Sequence, residues 1–137
     1  MPKRLSIYVD GCSRGNPGPS GIGVIVCDEG GSAIKNISKY IGDATNNIAE
    51  YNALIYGLQE ALILRADEII INTDSELLAK QLGKEYKIKD AVLKSLYEQV
   101  RHLLTGFKKY EIRHINRTEN KGADKLANKS ISQESLF

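Results

Sequence analysis

The chain has 137 residues, 42% of them hydrophobic and 26% charged, with 19 basic against 17 acidic side chains for a net charge of +2. That length suits one domain rather than two, and that balance excludes wholesale disorder. No apolar run reaches the ~18 residues of a membrane span, and no signal-peptide pattern follows Met1-Pro2-Lys3-Arg4, so a cytoplasmic location is expected.

Leu5, Ile7 and Val9 alternate with polar neighbours and predict a strand ending at Asp10-Gly11. The stretch from Gly11 to Gly23 is rich in Gly and Pro and reads as a tight, irregular connection. A second strand covers Gly23 to Cys27, a turn Asp28 to Gly31, and a third strand roughly Ala33 to Ile41. Short loops between the three predict an antiparallel meander. The period then changes. Tyr51, Leu54, Ile55, Leu58, Ala61 and Leu62 recur at helical spacing behind a Thr45-Asn46-Asn47 cap region. Ile69-Ile70-Ile71 reads as a central strand covered on both faces, ending at Asn72-Thr73-Asp74. A helix from Ser75 to about Leu82 has Gly83 at its C′ position, and a second from Ala91 to Leu104 closes at Gly106. Tyr110 to Ile115 is a last strand, and Glu119 to about Ile131 a last helix. The order β-β-β-α-β-α-α-β-α predicts an α/β domain on one mixed sheet.

Charge is unevenly spread. Lys80 to Arg117 carries ten basic and four acidic residues, leaving the remainder of the chain net acidic. Such a stretch is either a footprint for a polyanion or a solvated face. Cys12 and Cys27 lack CxxC spacing and read as reduced thiols.

Four acids occupy special places: Asp10 and Asp74 at strand ends, Glu50 early in the first helix, and Asp124 early in the last. If the first and fourth strands are parallel neighbours, Asp10 and Asp74 lie side by side where open α/β sheets bind ligands. Clustered carboxylates need a proton or a cation among them, and an all-oxygen set suits Mg²⁺ or Mn²⁺. Two such ions ~3.5–4 Å apart can clamp both oxygens of a phosphoryl displacement. Each acid also has an ordinary reading. Asp10 could begin an Asp-Gly turn. Glu50 could serve a helix start with Asn47 as N-cap. Asp74 could be an N-cap, or Thr73 and Glu76 a capping box. Asp124 could complement a helix dipole. Gly15-Asn16-Pro17-Gly18 offers backbone amides without a Walker pattern. Thr45-Asn46-Asn47 could hold a phosphate at a helix N-terminus, or simply cap it.

Taken together, Asp10-Gly-Cys-Ser-Arg-Gly-Asn-Pro-Gly-Pro-Ser-Gly-Ile-Gly23, Thr45-Asn-Asn-Ile-Ala-Glu50, Thr73-Asp-Ser75 and Asn120-Lys-Gly-Ala-Asp-Lys-Leu-Ala127 resemble the type 1 ribonuclease H family. The resemblance implies a five-stranded mixed sheet and divalent-metal cleavage of the RNA strand of RNA/DNA hybrids, leaving 5′-phosphate and 3′-hydroxyl ends. It implies two Mg²⁺ ions, with Mn²⁺ as a substitute, held by Asp10, Glu50, Asp74 and Asp124. One ion would lie with Asp10, Asp74 and Asp124, the other with Asp10 and Glu50. Asn16, Thr45 and Asn46 are implied hybrid contacts, with Gly11, Asn47 and Ser75 beside them. Only Gly83 to Lys89 stands where many members carry a basic protrusion, so the chain resembles the short form. Arg117 and His114 are alternative candidates for a residue that contacts the scissile phosphate or assists product release. Duplex RNA stays open as a second substrate. A non-catalytic hybrid-binding module and a nuclease for DNA junctions are the competing classes. The ending Gln133-Glu134-Ser135-Leu136-Phe137 is similar to peptides that dock on bacterial sliding clamps, so residues 1–131 are expected to form the domain and 132–137 a tail.

Overall fold

The computed structural model describes residues 3–83 and 87–134. Alternation in the first segment has its expected effect: Leu5, Ile7 and Val9 point to one face of strand β1 (Arg4–Ser13) and are at most 1% exposed. Strand β2 (Gly18–Cys27) repeats the pattern with Ile22, Val24 and Val26, all fully buried. Burying each such side chain contributes roughly 1.5–3 kcal/mol, enough to fix the register by which face is apolar. Strand β3 (Ala33–Ala44) completes the antiparallel meander.

Helix α1 (Asn46–Ile63) crosses the buried face and leads to β4 (Glu68–Thr73), which pairs parallel to β1. Helices α2 (Glu76–Leu82) and α3 (Ala91–Leu104) follow, α3 packing on α1. Strand β5 (Lys109–His114) pairs parallel to β4. A short 3₁₀ turn at Arg117–Glu119 precedes α4 (Lys121–Glu134), which lies across β1, β2 and β3 on the opposite face. The sheet order is β3-β2-β1-β4-β5, the mixed five-stranded sheet expected from the element order. No helix among the described residues is long and apolar enough to cross a membrane.

Several expectations need correcting. The segment from Gly11 to Gly23 is mostly strand, and only residues 14–17 form the turn. Three of its glycines are there for helix packing. A Cβ on Gly11 would overlap the α1 backbone at Ala49 and Glu50, and one on Gly21 or Gly23 would overlap α4 at Ser130, Ala127 and Ala123. β4 is covered on one face: Ile69 and Ile71 are buried, while Ile70 is half-buried in a groove with Arg4, Tyr110 and Arg113. The cap of α1 is Thr45, whose Oγ1 accepts from the Ile48 amide at 3.2 Å, rather than Asn47. The cap of α2 is Ser75, so Asp74 is left free of that duty. Gly83 stands at the C-cap of α2 with φ −78°, not at a left-handed C′. The last helix starts two residues later than expected and runs to Glu134, so Gln133 and Glu134 of the clamp-like peptide are helical. Ser135, Leu136 and Phe137 lie outside the described residues, as do Lys84, Glu85 and Tyr86 of the basic stretch.

Candidate metal centre

The β1–β4 register brings the acids together. Val9 pairs with Thr73, so Asp10 and Asp74 emerge side by side at the carboxyl end of β4. β1 runs on beyond β4, which places Asp10 inside a strand rather than in a turn. Because Gly11 has no side chain, the first turn of α1 sits directly on β1, and the Gly11 amide donates to Glu50 Oε1 at 2.8 Å. Carboxylate oxygens of Asp10, Glu50 and Asp74 lie within 4.8 Å of one another. Asp10 is 6% exposed and Glu50 9%.

Burial and mutual repulsion show in the protonation of this group. Burial, then the Glu50 charge, pushes the Asp10 carboxyl up to about 10. Glu50 is also raised, chiefly by burial, with the Asp10 and Gly11 hydrogen bonds opposing. Glu50 Oε2 is buried and has no hydrogen-bond partner. A buried carboxylate oxygen left unpaired costs about 1–3 kcal/mol or more, a cost that a hard divalent cation would offset. An all-oxygen donor set of clustered charge fits Mg²⁺ or Mn²⁺.

Asp124 lines the same 320 Å³ cavity with Asp10, Glu50 and Asp74. It is exposed on α4, outside the 4.8 Å group, and its Oδ1 accepts from Asn128 at 3.2 Å. Gly11, Asn46, Asn47 and Ser75 also line this cavity, together with Cys12 and Arg117. Asn16 and Thr45 do not line it. Thr45 caps α1, and Asn16 and Asn46 brace the rim: Asn16 Oδ1 accepts from the Asn46 amide at 2.9 Å, and Asn46 Oδ1 accepts from the Ser13 amide at 2.8 Å. Both side-chain carbonyls are thus engaged with backbone, ordering the loop against α1.

The two basic candidates differ in position. Arg117 Nε stands 3.8 Å from Asp74 Oδ2, with the side chain 90% exposed. His114 ends β5, is exposed, and does not line the cavity. Asn120 is a site residue that the reading of the sequence did not single out. It is 2% exposed and donates through Nδ2 to the Val9 carbonyl at 2.9 Å and to Asp74 Oδ1 at 3.3 Å. It thereby ties the start of α4 to both acid-bearing strands. Its place four residues before Asp124, opening the last quoted motif, was the available signal.

Comparison with known proteins gives a consistent picture. The family described as Reverse transcriptase-like matches residues 8–130. The chain is 41% identical over 128 residues to a ribonuclease HI of Halobacterium salinarum, covering 93% of this chain and 64% of that protein. It is 32% identical over 149 residues to a ribonuclease H of Pseudomonas entomophila, covering 97% of each. Against the crystal structure of LC11-RNase H1 in complex with an RNA/DNA hybrid, the TM-score is 0.90 at 39% identity, covering 97% of this chain and 99% of that one. The chain spans less than two thirds of some relatives, 35% of a bifunctional protein of Mycobacterium tuberculosis among them.

Proposed function

The chain belongs to the ribonuclease H family, and from that membership we propose that it hydrolyses the RNA strand of RNA/DNA hybrids with divalent cations held by Asp10, Glu50 and Asp74. One observation carries this reading: three carboxylates from β1, α1 and the end of β4 meet within 4.8 Å, and a buried Glu50 oxygen among them has no partner. Asp124, on the open side of the cavity, completes the set. Divalent cations bound there would lower the pKa of the attacking water and supply counter-charge for the departing oxygen.

This chain's residues prepare that reaction. Asn120 holds Asp74 from below the site, and the Gly11 amide holds Glu50. Arg117 faces the cavity and meets the phosphate at which water attacks. The P–O3′ bond breaks, the 3′ oxygen takes up a proton, and the new 5′ end keeps the phosphate. Asn46, Asn47 and Ser75 supply polar groups along the rim, where 2′-hydroxyls distinguish RNA from DNA. The 39%-identical relative solved with a hybrid supports that substrate. Two free cysteines fit a reducing cytoplasm.

A panel of labelled RNA/DNA hybrid, duplex RNA, duplex DNA and a four-way junction, each with and without Mg²⁺, tests the reading. Divalent-dependent cutting of the hybrid, with 5′-phosphate products, is expected. Cutting of the junction alone, or of the hybrid equally well in EDTA, overturns it. Docking on a sliding clamp through Gln133–Phe137 rests on the sequence motif. A clamp pull-down that is lost on deleting residues 133–137 is the expected outcome, and an unchanged or absent pull-down removes the idea.

A further inference from the structure

Helix α2 has seven residues, too few to hold a direction by itself. Its placement comes from what it turns inward, and three of its residues are buried: Leu78, Gln81 and Leu82. The leucines pack without a fixed direction. Gln81 is the polar one among them, 5% exposed, and its Oε1 accepts from the hydroxyl of Tyr51 on α1, which is 1% exposed. A Phe–Leu pair of the same shape would join the two helices at little cost, because no polar atom would leave water. What the Tyr–Gln pair adds is direction, since a hydrogen bond weakens steeply once it is misaligned.

The pair stands where direction matters. Tyr51 follows Glu50 in α1, and α2 begins just after Asp74, with Ser75 as its N-cap. Asp74 lies past the end of β4 at Thr73 and before that cap, so the line of α2 bears directly on it. Asn120 and Arg117 meet its carboxylate from the start of α4 and the turn before it. On the α1 side, the hydrogen-bonded tie among the described residues is the one between Tyr51 and Gln81. From Ser75 to Gln81 the helix rises about 9 Å, so a tilt of about 10° pivoting at Gln81 moves its first turn by about 1.6 Å. Mg²⁺ takes near-octahedral ligands at about 2.0–2.1 Å, and a shift of that size takes a carboxylate out of its shell.

We propose that Tyr51 and Gln81 are positioning residues for the cation centre, acting through α1 and α2 to set the separation of Glu50 and Asp74. The proposal rests on the hydrolase reading above and deepens it. Neither side chain touches cation or substrate. Their bond holds two backbones, and those backbones carry the carboxylates.

The test compares the full chain with two variants by three measurements: Mg²⁺ binding by calorimetry without substrate, cleavage of a labelled hybrid against Mg²⁺ concentration, and Tm in EDTA. Binding and cleavage are read well below each protein's Tm. Tyr51→Phe leaves Gln81 Oε1 buried without its donor, so Tm should fall by several degrees. Its Kd for Mg²⁺ and its half-maximal Mg²⁺ concentration should both rise on the order of tenfold, as when a partner of a metal ligand is removed. Tyr51→Phe combined with Gln81→Leu removes donor and acceptor together. Tm should then return close to the wild-type value, while the Kd stays raised and KM for the hybrid at saturating Mg²⁺ stays unchanged. A double variant that recovers Tm and Kd together makes the pair structural only and overturns the proposal. A Tyr51→Phe protein with unaltered Mg²⁺ dependence overturns it as well, and leaves the hydrolase reading standing if the hybrid is cut. A wild type that binds Mg²⁺ but cuts no hybrid removes the hydrolase reading, and the Kd comparison still decides the role of the pair.

Discussion

Asp10 is buried against Glu50 and Asp74, and its raised protonation has a consequence for stability without divalent ions. A group whose folded pKa lies above its unfolded value stabilises the fold below the unfolded value and loses that contribution as pH rises through the folded one. For Asp10 the window runs from the ordinary carboxylate range up to about 10. Stability in EDTA should therefore fall as pH rises across neutrality. Asp10→Asn should flatten that slope, leaving the part due to the buried Glu50, raise the Tm at pH 7 by a few degrees and abolish turnover. A Tm series in EDTA with a cleavage assay checks all three. Asn120 makes the opposite kind of contribution. Asn120→Ala leaves the Val9 carbonyl unpaired, which should cost about 1–3 kcal/mol, and frees Asp74 to turn. The Mg²⁺ concentration for half-maximal rate should rise along with the loss of Tm.

At the scale of elements, the site depends on how closely α1 and α4 approach the sheet. Gly11 lets the first turn of α1 rest on β1, and Gly23 does the same for α4 on β2. A methyl at either place meets backbone rather than a flexible side chain, so neither site can adjust by a rotamer change. Gly11→Ala should cost about 1–3 kcal/mol or more and displace Glu50, which is held by that same backbone. Urea unfolding and the Mg²⁺ dependence of cleavage together read this effect. α1 and α2 are joined by the buried Tyr51 hydroxyl and Gln81 Oε1. This bond fixes α2 relative to the helix that bears Glu50.

For the molecule as a whole, substrate and cation act in opposite directions of charge. A cluster of buried acids destabilises the divalent-free protein, and binding reverses this by mass action. At 100 times the Kd, Mg²⁺ should stabilise by about 2.7 kcal/mol, seen as a Mg²⁺-dependent rise in Tm that Asp10→Asn blunts. Among the described residues, the basic side chains from Lys80 to Arg117 are spread over α2, residues 87–89, α3, residue 108, β5 and the 3₁₀ turn, with Lys87, Lys89 and Lys94 around one 390 Å³ cavity. Contact with phosphates there should make hybrid binding fall steeply with salt.

Much of this was determined by local sequence. The alternation of Leu5, Ile7 and Val9 and the helical spacing from Tyr51 to Leu62 gave the element order, and the acids at strand ends and helix starts gave the candidates for the site, because side-chain period is set within a few residues. Other features depended on contacts between distant parts of the chain. Gly11, Gly21 and Gly23 read locally as loop, since their cause is a helix laid across them from residues 49–50 and 123–130. Ile70 reads as core, although it is only half-buried. Arg117 and His114 are alternative candidates along the chain, with the loop position favouring Arg117, and the turn after β5 brings Arg117 to Asp74. Asn120 looks like an ordinary polar residue until folding buries it between Val9 and Asp74. Periodicity records which face a residue occupies, whereas close approach and hydrogen-bond partners come from packing between segments that sequence spacing does not relate.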